Sequence, residues 1–169
     1  MRSIPRKLQV WAFLGAFCFG CGGNGEESNP SQTVQVLPIK CTLKIDQSKS
    51  EVWADVSFEN ENDRKTPVLT RNLLEGGELT FAAFSVRHDG AKVAYNGISV
   101  KRGPFRKEDW KFFGPHEVYK TRVRIGSYYD ISRAGKYEIL YQAYNPDPYP
   151  DGPGLVKMQS NVETLTVRR

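Results

Sequence analysis

Histidine is scarce in this chain: His88 and His116 are the only two, and neither belongs to a His-Glu-x-x-His pattern. A zinc hydrolase of that kind needs two histidines one helical turn apart and a glutamate to activate the metal's water, so its chemistry has no residues to run on. His88 lies beside a turn and His116 in the loop after Pro115, and both read as solvated loop residues. Cysteine is sparse as well, with 3 in 169 residues, which excludes a fold held mainly by disulfides. No Gly-x-Ser-x-Gly elbow presents a nucleophile. No apolar run reaches the roughly 20 residues of a membrane-spanning helix; the longest, Leu8 to Gly20, has about 13. Apolar residues do not recur at helical spacing beyond a single turn. An enzyme is not expected, and neither is a cofactor.

What the chain does have begins at its N-terminus. Arg2, Arg6 and Lys7 precede the apolar run, which ends in Cys18-Phe19-Gly20-Cys21 and gives way to Gly22-Gly23-Asn24-Gly25-Glu26-Glu27-Ser28. A basic start, a short apolar segment and a small residue before a cleavage point make a secretory signal, here residues 1–20. Cys21 at the first mature position resembles the lipobox of bacterial lipoproteins, whose cysteine receives a diacylglycerol. The match departs at Cys18, where that family usually has leucine. One acyl chain binds a membrane marginally, at roughly 0.8 kcal/mol per buried CH₂, whereas two or three hold firmly. The resemblance therefore implies an exported, membrane-anchored protein, and Gly22 after the cysteine resembles lipoproteins sent to an outer membrane. Residues 22–32 carry no large apolar side chain and read as a flexible leash. Its eleven residues reach at most about 35–40 Å.

Removal of Arg2, Arg6 and Lys7 with the signal lowers the formal charge from +5 to +2. A nearly balanced, exported chain is not expected to bind nucleic acid. Residues 33–169 are the size of one domain. Within them apolar residues alternate with polar ones. Cys41, Leu43 and Ile45 form one such set, so Cys41 is expected to face the core as an inert thiol. Val52, Ala54, Val56 and Phe58 form another, as do Tyr137, Ile139, Tyr141 and Ala143. Asp89-Gly90 between Phe84–His88 and Ala91–Tyr95 is a hairpin signal, because a type I′ turn needs positive φ at both central residues. Ile98 and Val100 suggest a short strand, Val162–Val167 a last one. Leu73-Leu74-Glu75 and Glu108-Asp109-Trp110 suggest single helical turns. The expectation is an all-β chain, a single immunoglobulin-like antiparallel sandwich of about 7–9 strands. Tyr137 is placed for a tyrosine corner, with Ile139 where antibody domains carry a disulfide cysteine.

Phe84-Ser-Val-Arg-His-Asp-Gly90, Tyr95-Asn-Gly-Ile-Ser-Val-Lys-Arg102 and Tyr128-Tyr-Asp-Ile-Ser-Arg-Ala-Gly-Lys-Tyr137 follow one another in order. Together they resemble the immunoglobulin-like β-domain that precedes the catalytic domain of deuterolysin-type (aspzincin, peptidyl-Lys) metallopeptidases. Phe113-Gly114-Pro115 departs from the Pro-Gly turn of that family. The chain reaches Arg169 where the peptidase domain would begin, so the resemblance implies a non-catalytic module. It also implies a protein partner at the cell envelope, a secreted peptidase that the module inhibits or helps to fold.

Several surfaces could meet a partner. Lys101, Arg102, Arg106, Lys107 and Lys111 form one basic cluster, and Lys120, Arg122 and Arg124 line one face of a strand. Either attracts anionic headgroups or acidic proteins, or else is an ordinary solvated face. The stretch Asn145 to Gly154, with Tyr144 and Tyr149, reads as a proline-stiffened contact loop. Asp147 and Asp151 within it lack the spacing of an EF-hand. Trp110, Phe112 and Phe113 read as packing residues, and Trp110 doubles as the alternative anchor for a glycan. An inert spacer is the third reading. Intact-mass measurement of the membrane-extracted protein is predicted to find Cys21 acylated at the N-terminus, and Cys21→Ser to release the protein from membranes. An unmodified N-terminus elsewhere in the wild type would contradict lipidation.

Overall fold

The computed structural model describes residues 37–48, 50–146 and 154–168. Cys21 with the signal and leash, and Asp147, Tyr149 and Asp151, lie outside the described residues. Nine strands follow in chain order: β1 (Ile39–Ser48), β2 (Glu51–Asn60), β3 (Thr66–Leu69), β4 (Phe84–His88), β5 (Ala91–Lys92), β6 (Trp110–Phe113), β7 (Val118–Val123), β8 (Gly135–Pro146) and β9 (Leu155–Val167). Helical structure among the described residues is confined to 3-10 turns of three or four residues.

Period-two patterning builds both main sheets. Val52, Ala54, Val56 and Phe58 on β2, and Tyr137, Ile139, Tyr141 and Ala143 on β8, all point into the core, as side chains two apart on a strand must. β2 pairs with β1 on one side and β7 on the other, and β8 pairs with β4 and β9. The sheets are thus β1-β2-β7 and β5-β4-β8-β9, with β3-β6 as a third pair, and every pairing is antiparallel. The two larger sheets follow the A-B-E and C′-C-F-G order of immunoglobulin-like sandwiches. The fold is an all-β sandwich. Tyr141 packs edge-on against Phe58 at 5.3 Å and Phe84 at 5.8 Å, tying the two sheets together. Fully burying an aromatic or aliphatic side chain of this size is worth about 1.5–3 kcal/mol.

Asparagine side chains join the sheets where backbone ladders do not. The Asn161 carboxamide accepts from Leu43 N at 2.8 Å and donates to Leu43 O at 3.1 Å, so β1 runs beside β9. Asn145 does the same for β3: it accepts from Leu69 N at 2.8 Å and donates to Pro67 O at 3.1 Å. Asn60 donates to Arg64 O and Gly114 O, both at 2.8 Å, and accepts from Thr66 Oγ1 at 3.0 Å. A carboxamide carries a donor and an acceptor about as far apart as a peptide group does, so it substitutes for a missing strand partner. Among the described residues no buried side-chain nitrogen or oxygen lacks a partner.

Asp89 (φ 47°) and Gly90 (φ 84°) form the expected turn. Other expectations are corrected. Ile98 and Val100 are not in a strand; Ile98 is 67 % exposed and Val100 is held by its N–H to Thr80 O at 3.1 Å. Trp110 starts β6 rather than ending a helical turn, which covers Lys107–Asp109. Leu74 is left-handed (φ 56°) and interrupts the expected turn, which splits into Thr70–Leu73 and Glu75–Gly77. Asn145 and Pro146 belong to β8, not to a solvated loop, and Asn145 is buried. β9 begins at Leu155, well before Val162.

Asn60→Ala would remove the donor from the buried Phe113 carbonyl and the part-buried Arg64 and Gly114 carbonyls, and a buried polar group left without a partner costs about 1–3 kcal/mol. Urea unfolding is expected to show a loss of about 3 kcal/mol. A change no larger than that of an ordinary surface substitution would contradict the role given to this side chain.

Candidate functional site

Three of the residues singled out in the sequence, Lys101, Arg102 and Arg106, line one cleft. A cleft of about 840 Å³ opens between the turns at residues 70–78 and the irregular segment 100–109. That size falls within the usual range for ligand sites. Leu69 and Leu74 line its base, and Lys101, Arg102, Phe105 and Arg106 one wall. Arg71, unremarkable in the sequence, lines it too. Arg71 also lines an adjoining groove of about 780 Å³ with Phe81, Tyr95 and Tyr144.

The chain positions Arg71 by pinning both of its neighbours. Thr70 Oγ1 donates to Asp109 O at 2.6 Å, and Asn72 Nδ2 donates to Tyr144 O at 3.1 Å. Asn72 O in turn accepts from the buried Tyr141 hydroxyl at 2.5 Å. The guanidinium lies over the Phe105 ring, 4.9 Å from its centroid, a contact worth about 0.5–1 kcal/mol. Phe105 meets Trp110 edge-on at 6.1 Å. Partial burial, and then the like charge of Arg102, push the Arg71 guanidinium below its ordinary pKa, while Asp109 pulls the other way.

The facing wall is fixed in the same manner. Arg102 Nη2 donates to Thr80 Oγ1 at 3.1 Å, and Asp109 Oδ2 accepts from Arg106 N at 2.8 Å. Beneath the cleft, Leu74 keeps a left-handed backbone that is rare for a branched residue. Thr121 Oγ1 donates to Leu74 O at 2.9 Å and Gly77 N to the same oxygen at 3.0 Å. Gly77 is required here: its φ is 72°, and a Cβ would stand 2.6 Å from Arg122 O.

The remaining candidates separate from this place. Lys107 opens the 3-10 turn beside the cleft, and Trp110 is half-buried on β6 behind Phe105. Phe113 is buried as expected, but Phe112 is 49 % exposed. The face of β7 is not the free basic strip that its sequence suggests. Arg122 pairs with Asp46 at 2.6 Å and Asp55 at 3.6 Å, and Arg124 with Glu51 at 2.9 Å. The neighbouring strands β1 and β2 bring these acids alongside by register.

His116 is exposed beside Asp63 at 3.1 Å. His88 is no solvated loop residue: it ends β4 and stacks on Tyr137 with ring centroids 4.5 Å apart. The Tyr137 hydroxyl donates to Arg133 O at 3.1 Å and accepts from Arg133 N at 3.2 Å, closing the corner before β8. Among the described residues no three His, Cys, Asp or Glu side chains gather as metal ligands.

No family model matches the chain. Over 105 residues it is 25 % identical to an extracellular protease of Aeromonas hydrophila; the match takes in 62 % of this chain. The chain spans only 30 % of that protein's length. The likeness is therefore to one portion of an extracellular protease.

Cys41 is buried, and burial pushes its thiol from 9.0 up to about 12, slightly eased by the Gln159 backbone. The folded state thus holds the proton that the unfolded chain releases near pH 9. The contribution to stability is complete below that pH and is lost as pH rises from about 9 to about 12. Ellman's reagent at pH 8 is expected to leave Cys41 unlabelled in the native protein and to label it in urea, with the site assigned by peptide mapping. Rapid labelling of the native thiol would contradict its burial.

Proposed function

We propose that the chain is an exported lipoprotein, tethered through Cys21, whose sandwich is a non-catalytic accessory module that binds another protein at the cell envelope. The observation that carries this reading is the partial likeness to an extracellular protease, confined to 30 % of that protein. A portion of a secreted enzyme that recurs as an all-β sandwich suits an accessory role, and the deuterolysin-type resemblance of the Tyr128–Tyr137 segment agrees with it. The signal pattern before Cys21 supports export, and acylation there would hold the module within a short leash of the membrane. On this reading the partner is a secreted peptidase, which the module inhibits or assists in folding.

The cleft around Arg71 supports binding rather than turnover. It offers fixed guanidinium groups and an aromatic wall, and neither a cysteine nor a histidine lines it. The test is affinity capture with the full mature chain from envelope extracts, alongside binding to purified cell-wall glycans. Capture of a secreted peptidase, with inhibition or improved refolding of that enzyme, is the expected result. Glycan binding abolished by Trp110→Ala would replace this reading with a carbohydrate-binding one.

A further inference from the structure

Part of the positive charge on this molecule is spent in ion pairs, and elsewhere several unpaired cations gather at one place. Lys40, Lys111, Arg122, Arg124, Arg133 and Lys136 each have a carboxylate within 4.0 Å. Arg71, Lys101, Arg102 and Arg106 line a single cleft, and among the described residues none of them has such a partner. Asp109, the nearest acid in the wall, already accepts from the Arg106 amide at 2.8 Å. Like charges gathered in a recess repel one another, and Glu75, Glu78 and Asp109 in the same lining offset the four cations only in part.

We propose that this cleft seats an extended acidic segment of a partner protein, with a carboxylate side chain on the Arg71 and Arg102 guanidinium groups. The inference rests on the protein-binding reading above and names its site. Arg71 is a directed donor rather than a loose surface charge, because Thr70 and Asn72 are both pinned and its own face is laid against Phe105. A planar fork held in place is suited to bidentate carboxylate recognition. Val100 and Phe105, 45 % and 44 % exposed, give the rest of the segment apolar area beside that anchor.

The same cleft carries Glu75 and Glu78, on the 70–78 side with Arg71. A flat anionic membrane would meet those carboxylates together with the arginines and could not reach the recessed Arg71. An extended peptide can set its carboxylate on the two guanidinium groups and turn its amides, or a basic side chain, to Glu75 and Glu78. This mixture of charge favours a peptide over a lipid surface.

The test uses the full mature chain in neutral detergent. A short fluorescein-labelled peptide carrying paired glutamates is titrated by fluorescence anisotropy against its twin with glutamines. The glutamate peptide is expected to bind with salt-sensitive affinity, and the glutamine twin about tenfold or more weakly, as for loss of a charge-assisted hydrogen bond. Arg71→Ala is expected to weaken binding to a similar degree and Arg71→Lys to restore part of it. Arg102→Ala, an exposed substitution with no core role, gives the same reading should Arg71→Ala impair folding. Equal binding of the two peptides, or wild-type affinity in both alanine variants, overturns the proposal. So does selective uptake into micelles doped with phosphatidylglycerol without peptide binding. If an envelope protein is captured equally by wild type and Arg102→Ala, the protein-binding reading stands and the cleft assignment falls.

Discussion

The enclosed carboxamide of Asn145 is the contact on which the working part of this molecule rests. β3 is only four residues long and includes Pro67, which has no N–H to give. Among the described residues it has a backbone partner in β6 alone. Asn145 supplies the other side, taking the Leu69 amide and giving a donor to Pro67 O. Asn72 joins at 3.4 Å, and the Tyr141 hydroxyl closes the set from the core. The turn that presents Arg71 is therefore tied to β8, the central strand of its sheet, through buried polar groups.

Asn60 and Asn161 repeat this solution at other seams, and the repetition has a physical reason. A two-sheet sandwich with short or proline-containing edge strands leaves backbone groups that water cannot reach. Each must find a partner or cost free energy comparable to a lost hydrogen bond. A polar network whose members are all satisfied rigidifies the groups it joins. Rigidity at this point matters for recognition. A guanidinium already immobilised over Phe105 loses little freedom when a ligand arrives, so more of the interaction appears as affinity.

Much of this architecture was legible in the sequence. The alternation in β2 and β8, the burial of Cys41, the Asp89-Gly90 turn and the place of Tyr137 all follow from period-two patterning and turn chemistry. What escaped depends on contacts between distant segments. β3 and β6, four residues each, are too short to display a period, and Pro67 argues against a strand. Ile98 and Val100 mimic alternation but have no neighbouring strand to pair with. The charges of Arg122 and Arg124 looked free because their acids come from β1 and β2, more than sixty positions away. Arg71 carried no signal in sequence. Its importance arises from the meeting of two loops, and only the basic run from Lys101 to Lys107 pointed to that region.

Side-chain amides act as strand backbone at the seams that hold the cleft. Amide hydrogen exchange at Leu69, followed by NMR, tests this role most directly. The Leu69 N–H has Asn145 Oδ1 as its acceptor at 2.8 Å, so it should exchange as slowly as amides in the central β2 ladder, through global unfolding alone. Exchange at Leu69 as fast as in the exposed segment around Gly103, with β2 still protected, would contradict the account.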